Sequence, residues 1–246
     1  MTPFVVRLRF HGDLTLFIKG RASFLERQLS ERTSIKDVIE SCGVPHTEVD
    51  LILMDDRPVN FAFVIGKEVE IAVYSVDASR ITFFPEHHLQ IATIEKFVAD
   101  VHLGKLTRDL RLLGLDIAYD ASADDRQLIT IGKGEDRALL TRDRRLLMHA
   151  AVRHGYFLRS QAPLQQTTEV LRRFQLADRL APFSRCLRCN EPLEKVTKTE
   201  IIDDLEPLTK IYYDEFRRCP GCGQIYWPGS HFEKLEDRIA KLRQQL

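Results

Sequence analysis

Two Cys-x-x-Cys pairs, Cys186-Leu187-Arg188-Cys189 and Cys219-Pro220-Gly221-Cys222, constrain this chain more than any other feature. The 29 residues between them (190–218) give the spacing of a zinc ribbon, in which each pair sits on a tight turn and four thiolates close a tetrahedron. Gly221 and Gly223 offer the positive φ that such a turn uses. Two disulfides are the competing reading, which fits poorly with a chain that reads as cytoplasmic. Four thiolates leave no open coordination position, so the expected Zn2+ is structural and the chemistry must lie elsewhere.

A length of 246 residues points to about two domains. With 44% hydrophobic residues, 29% charged residues and a formal net charge of zero, the composition is that of a globular protein. No apolar run approaches the roughly 18 residues of a membrane span. Met1-Thr2-Pro3-Phe4 leads into a strand-like pattern rather than a signal peptide, so a cytoplasmic location and no membrane partner are expected. The fifth cysteine, Cys42, falls on a helical periodicity and is expected to be a buried small hydrophobe. Charge is unevenly distributed. Residues 86–136 carry 10 acids and 6 bases, whereas residues 137–185 carry 10 arginines, no lysine and 3 acids. Such a juxtaposition suits a protein that holds divalent cations and meets phosphates.

The chain reads in three pieces. Residues 4–10 alternate apolar and polar, turn at Gly12-Asp13, and lead to a second expected strand at Leu14–Ile18. Ser34 then caps an expected helix from Ile35 to Cys42, and further strands are expected at 51–54, 61–64 and 69–74. Hairpin, helix and short strands in this order resemble the ubiquitin-like β-grasp, especially its sulfur-carrier branch. Sulfur carriers act through a free C-terminal Gly-Gly, whereas here Ile71-Ala72-Val73-Tyr74-Ser75-Val76 runs on. A sulfur-transfer role is therefore disfavoured, and residues 1–76 are expected to form an interaction or positioning module with a protein partner. Residues 77–95 read as a linker. Between 96 and 180, expected strands at 97–99, 116–119, 137–141 and 155–158 alternate with expected helices at 102–113, 124–131, 143–152 and 167–176. That alternation implies an α/β fold, a parallel sheet with helices on both faces. Residues 181–246 make the ribbon and a C-terminal helix.

In open parallel sheets, functional groups gather beyond the carboxyl ends of the strands. Asp100 ends the first of these strands, Asp125 opens the helix after the second, and Asp143 follows the third. Clustered carboxylates are natural ligands for Mg2+ or Mn2+, although each could equally be a helix N-cap.

Asp100-Val101-His102-Leu103-Gly104-Lys105-Leu106, Leu110-Arg111-Leu112-Leu113-Gly114-Leu115-Asp116, Asp124-Asp125 and Arg137 to Leu147 together resemble the Mut-seven C-terminal RNase family. That family is PIN-like, similar to metal-dependent nucleases whose parallel sheet gathers acids at one end. A zinc ribbon belongs to its pattern, and some members carry a β-grasp domain in front. The resemblance implies a metal-dependent ribonuclease with RNA as substrate, in which Asp100, Asp125 and Asp143 hold one or two Mg2+ or Mn2+ ions. It makes Thr141 a candidate to orient Asp143 or touch substrate, and Lys105, Arg142 and Arg145 candidate phosphate contacts. Glu135 and Asp136 precede a strand and fall at its opposite end. PIN-type nucleases often use a fourth acid after a later strand, and Tyr156-Phe157-Leu158-Arg159-Ser160-Gln161 offers none. The alternative is a non-catalytic RNA-binding or ribosome-associated adaptor that uses the arginines and the ribbon. On the ribbon, Phe183, Arg185, Arg188, Lys195, Lys198, Arg217, Arg218, Tyr226 and Trp227 mix bases with aromatics as single-strand binders do. Segment 186–225 nevertheless holds 8 acids against 6 bases, and Tyr226, Trp227 and Phe232 are expected to pack the ribbon in place.

Overall fold

A computed structural model describes residues 2–79, 84–91 and 93–244. The chain divides into two compact units, Met1–Ile94 with Asp125–Phe157, and Glu95–Asp124 with Leu158–Leu246. The expected linker includes residues 80–83 and 92, and the expected C-terminal helix includes 245 and 246; these lie outside the described residues.

The first unit opens with β1 (Phe4–His11), antiparallel to β2 (Phe24–Leu29). The expected strand at Leu14–Ile18 is instead a 3-10 turn over Gly12–Phe17. Gly12 at φ 69° reverses the chain, and the three-residue repeat puts Leu14 and Phe17 on one inward side, 0% and 5% exposed. The hairpin's second strand therefore comes later. Next follow β3 (Thr33–Ser34) and α1 (Ile35–Ser41), whose N-cap Ser34 accepts the Asp37 N–H at 3.1 Å. Cys42 is buried beyond it, as its periodicity implies. β4 (Val49–Met54), β5 (Arg57–Val59), β6 (Val64–Ile65), β7 (Val69–Ser75) and α2 (Val76–Ser79) complete this stretch. Only Val64 of the expected strand 61–64 extends, because the Asn60 side chain takes the Ala62 N–H at 3.0 Å and bends the chain.

The main sheet runs β2-β1-β7-β4-β5, with β1 and β7 parallel at its centre and its other pairs antiparallel. β7 alternates buried and exposed side chains; its inward Ile71 and Val73 join Val6, Leu8, Ile35 and Ile39 in one core. Each such side chain contributes roughly 1.5–3 kcal/mol when fully buried.

After the connector, strands and helices alternate as expected: β8 (Lys96–Ala99), α3 (Gly104–Leu112), β9 (Asp116–Ala118), α4 (Asp125–Gly134), β10 (Ala138–Thr141), α5 (Arg144–Leu147), β11 (Gly155–Phe157) and α6 (Pro163–Arg173). β10 and β11 are parallel neighbours in the first unit, β8 and β9 in the second. α5 is one turn rather than the expected ten residues. Met148 N–H is shared between Arg144 and Arg145 carbonyls, and Ala151 N–H turns to His149 Nδ1 at 3.2 Å. α6 starts earlier than expected because Pro163 fits the first helical position, which needs no N–H partner.

Within the first unit, β11 is bonded to the N-terminal sheet region. Phe157 N–H donates to Glu48 Oε1 at 2.6 Å, its ring meets Phe17 edge-on at 5.4 Å, and Arg144 donates to the Phe17 carbonyl at 2.9 Å. His46, 6% exposed, lies between Glu40 Oε1 at 2.7 Å and the Val152 carbonyl at 2.8 Å. Residues 88–90 are strapped to Asp50, whose carboxylate meets His88 Nδ1 at 2.6 Å and the Gln90 N–H at 2.8 Å.

In the second unit Phe97 of β8 packs edge-on against Phe174 at 4.9 Å, and Leu106 and Leu110 of α3 share that interior with Val170 and Leu171 of α6. Three short antiparallel strands follow in the order β12 (Glu194–Val196), β13 (Phe216–Arg218), β14 (Ile225–Tyr226), with α7 (Pro207–Tyr212) inserted between the first two in sequence. The final helix, α8 (Ser230–Arg243), returns to α3, where Arg238 grips buried Asp109 through two hydrogen bonds.

Candidate functional site

The four ribbon cysteines form the firmest site. Their sulfurs all lie within 4.8 Å of one another, with Cys186 to Cys222 at 3.6 Å and Cys189 to Cys219 at 3.2 Å. Sulfurs about 2.3 Å from a tetrahedral ion stand about 3.8 Å apart, so the thiolate set fits zinc. No disulfide joins the cysteines. Each pair sits on a turn closed by a backbone bond: Asn190 N–H to Cys186 O and Gly223 N–H to Cys219 O, both at 3.0 Å. Asn190 at φ 77° and Gly223 at φ 74° take the left-handed positions. Gly221 is needed for a different reason, since a Cβ there would fall 2.8 Å from Glu191 Cγ.

Tyr226 braces the first pair: its hydroxyl accepts the Leu187 N–H at 3.0 Å and lies 3.2 Å from Cys186 Sγ. Burial pushes the Cys186 thiol up, but hydrogen bonds from Tyr226 and from the Cys189 and Arg188 amides outweigh it and bring it down to about 6. Burial dominates at Cys189, which is pushed up to about 12. An ion binding here displaces protons from the quartet.

The first pair is mounted on α3 and β9 by Arg111, 4% exposed. Its guanidinium donates to Ile117 O at 3.1 and 2.8 Å, to Leu187 O at 3.3 Å and to Arg188 O at 2.8 Å. Burial lowers its pKa, while Cys186 and Cys189 oppose that shift. Asn190 completes the joint, accepting the Ile117 N–H at 3.0 Å and donating to Asp116 at 2.8 Å. Gly114 at φ 89° closes it, because a Cβ there would fall 2.2 Å from Ala181 O. Arg111 and Gly114, which flank Leu112-Leu113 in the sequence motif, thus both serve the joint between the ribbon and α3.

The acidic candidates take their places at strand and helix ends. Asp100 follows β8 and caps a 3-10 turn, accepting the His102 N–H at 3.5 Å. Asp143 follows β10 and caps α5; its Oδ1 accepts the Arg145 and Leu146 N–H groups at 2.7 and 3.4 Å. Among the described residues its Oδ2 has no partner, so capping leaves one oxygen open. Asp125 is the first residue of α4 and is exposed. Asp100 belongs to the second unit, Asp125 and Asp143 to the first. Among the described residues, the cysteine quartet is the group of three or more His, Cys, Asp or Glu side chains whose ligand atoms come close enough for one ion.

Thr141 is fully buried, and its hydroxyl accepts the backbone N–H of Asp143 at 2.9 Å, fixing the turn below the carboxylate. Lys105, Arg142 and Arg145 are exposed. Several ribbon bases are engaged otherwise. Arg185 donates to Gly114 O and Asn190 O, Arg217 to Phe183 O, and Lys198 pairs with Asp214 at 2.8 Å. Phe183 stacks on Phe232 at 4.3 Å, as packing would have it.

Sequence reasoning missed three residues. Glu169 of α6 accepts both the Arg159 and Ser160 N–H groups at 2.8 Å, bringing a carboxylate to a segment that has none of its own. Asp120 lies just past β9; hydrogen bonds from the Ser122 hydroxyl and amide hold its carboxyl below the usual value. The Asp-x-Ser pattern was its only signal. Tyr119 donates to Val101 O at 2.8 Å, tying the turn after β8 to the end of β9.

A family model described as the Mut7-C RNAse domain matches residues 95–239, and one described as Mut7-C ubiquitin matches residues 4–80. No curated protein and no solved structure matches the chain significantly. No helix among the described residues is long and apolar enough to cross a membrane.

Proposed function

Because the chain belongs to the Mut7-C RNAse domain family, we propose that it is a divalent-metal-dependent ribonuclease that hydrolyses RNA phosphodiester bonds. The carrying observation is the family match itself, whose residues 95–239 include Asp100, Asp125, Asp143 and all four cysteines. Carboxylates are the hard donors that Mg2+ and Mn2+ take, and the open Oδ2 of Asp143 fits that use. Within the first unit, the carboxylates of Asp125 and Asp143 would take such a cation, which would supply Lewis-acid activation of water and phosphate.

This chain's own groups do the positioning. Two backbone N–H groups fix Asp143 Oδ1, so its second oxygen is held in a set direction by the turn that Thr141 secures. Lys105, Arg142 and Arg145 are exposed and would take the phosphates of RNA, the guanidinium planes gripping two oxygens at once. The cysteine quartet holds structural zinc, the protein acts in the cytoplasm, and the ubiquitin-like domain meets a protein partner.

End-labelled single-stranded RNA incubated with the full chain should be cut in Mg2+ or Mn2+ and remain intact in EDTA. Cleavage that persists in EDTA would overturn the metal-dependent reading. One observation favours a second reading, a non-catalytic RNA adaptor: Asp100 and Asp143 both serve as caps. That reading predicts RNA binding that weakens steeply with salt and no cleavage in any metal.

A further inference from the structure

The segment between β12 and β13 has its own small core, in which Ile201 and Leu205 pack with Phe216. α7, within this segment, is turned the opposite way to a soluble helix. Its polar Thr209 is buried at 8% exposure, while Leu208, Ile211 and Tyr212 are 68%, 68% and 72% exposed. These three stand at i, i+3 and i+4 and so share one face. Ile202, 42% exposed, adds a fourth apolar side chain from the preceding turn. Single exposed apolar residues are ordinary, but several on one helix face mark a contact surface.

The surroundings of this face select its occupant. Asp203, Asp204 and Glu206 precede it, and Asp214 and Glu215 follow it. Across 198–215 there are 6 acids and 2 bases, and one of those bases, Lys198, is already paired with Asp214. RNA and anionic lipid would be repelled by this rim. A symmetric second copy would set acid against acid.

We propose that the α7 face is a docking site for a cationic amphipathic segment of a partner protein, its apolar side chains seated on Leu208, Ile211 and Tyr212 and its basic residues on the acidic rim. The site shares no residue with the proposed nuclease groups, and its occupancy does not require cleavage.

The test uses the zinc-loaded full chain and three fluorescent 15-residue helical peptides: one of leucine and arginine with leucines at i, i+3, i+4 and i+7, a twin with glutamate for arginine, and a twin with serine for leucine. Anisotropy should show binding of the first alone, weakening with salt. A triple variant, L208S/I211S/Y212S, should lose on the order of 30-fold in affinity, as removal of interface hot spots does. D203K/D204K/E206K should reverse preference toward the glutamate twin. The replaced side chains are exposed, so circular dichroism should match the parent. The proposal is overturned if the leucine–arginine peptide fails to bind, if the triple variant binds it equally, or if the face instead drives concentration-dependent dimerisation or sedimentation with phosphatidylserine vesicles.

Discussion

Arg111→Met isolates the joint between the ribbon and the α/β elements of the second unit. The arginine's aliphatic stem is replaced by one of similar bulk, so the loss is confined to four hydrogen bonds onto three carbonyl oxygens. A bond from a charged donor is worth about 1.5–3 kcal/mol net, but releasing a buried guanidinium returns part of that. Orphaning the buried Ile117 carbonyl and loosening two half-buried ones leaves a cost of roughly 3–5 kcal/mol. For a chain of this size that lowers Tm by roughly 10 °C. Leu187 and Arg188 lie between the first two cysteines, so the same change should weaken zinc about 10–100-fold, as loss of an outer-shell support does. Differential scanning fluorimetry and transfer of zinc to a chromogenic chelator read the two effects. Arg111→Lys should recover less than half of each, because one ammonium cannot span both directions. A methionine variant with unchanged Tm and unchanged zinc transfer would refute the reasoning.

Gly114→Ala should destabilise by more than about 2 kcal/mol in urea denaturation, since it forces a side chain into positive φ against a backbone oxygen. Glu48→Ala should cost about 2–3 kcal/mol by removing the acceptor of the Phe157 N–H, and that amide should exchange with deuterium faster than its neighbours. Glu200, held below its ordinary pKa by the Thr197 hydroxyl and amide, should move back toward that value in Thr197→Val. The sign follows from the lowered value: its contribution to stability is present above the ordinary carboxylate pKa and fades as pH falls through the folded one, which a carboxyl NMR titration would trace.

Period and spacing carried much of this fold. The cysteine turns, the capped α1, the parallel pairs β8–β9 and β10–β11, and the buried Cys42 all follow from local patterns. What escaped was set by contacts distant in sequence. Leu14 to Ile18 alternates weakly enough to pass for a strand, and only the core decides that Leu14 and Phe17 turn inward together. The length of α5 was hidden because apolar residues run on past Leu147, while hydrogen bonds at Met148 and Ala151 end it. For the acids, sequence posed a choice between cap and ligand; Asp100 and Asp143 both cap, Asp143 through Oδ1 alone. Glu169 and Arg111 were illegible as site supports because their partners are backbone atoms, which carry no sequence signature.

The central claim rests most directly on Asp143→Asn. Asparagine keeps the capping oxygen and the turn but removes the negative charge from the second oxygen. Single-turnover cleavage of RNA in Mn2+ should fall by at least about 100-fold while Tm stays within about 2 °C of the parent. Cleavage at the parental rate would contradict the account.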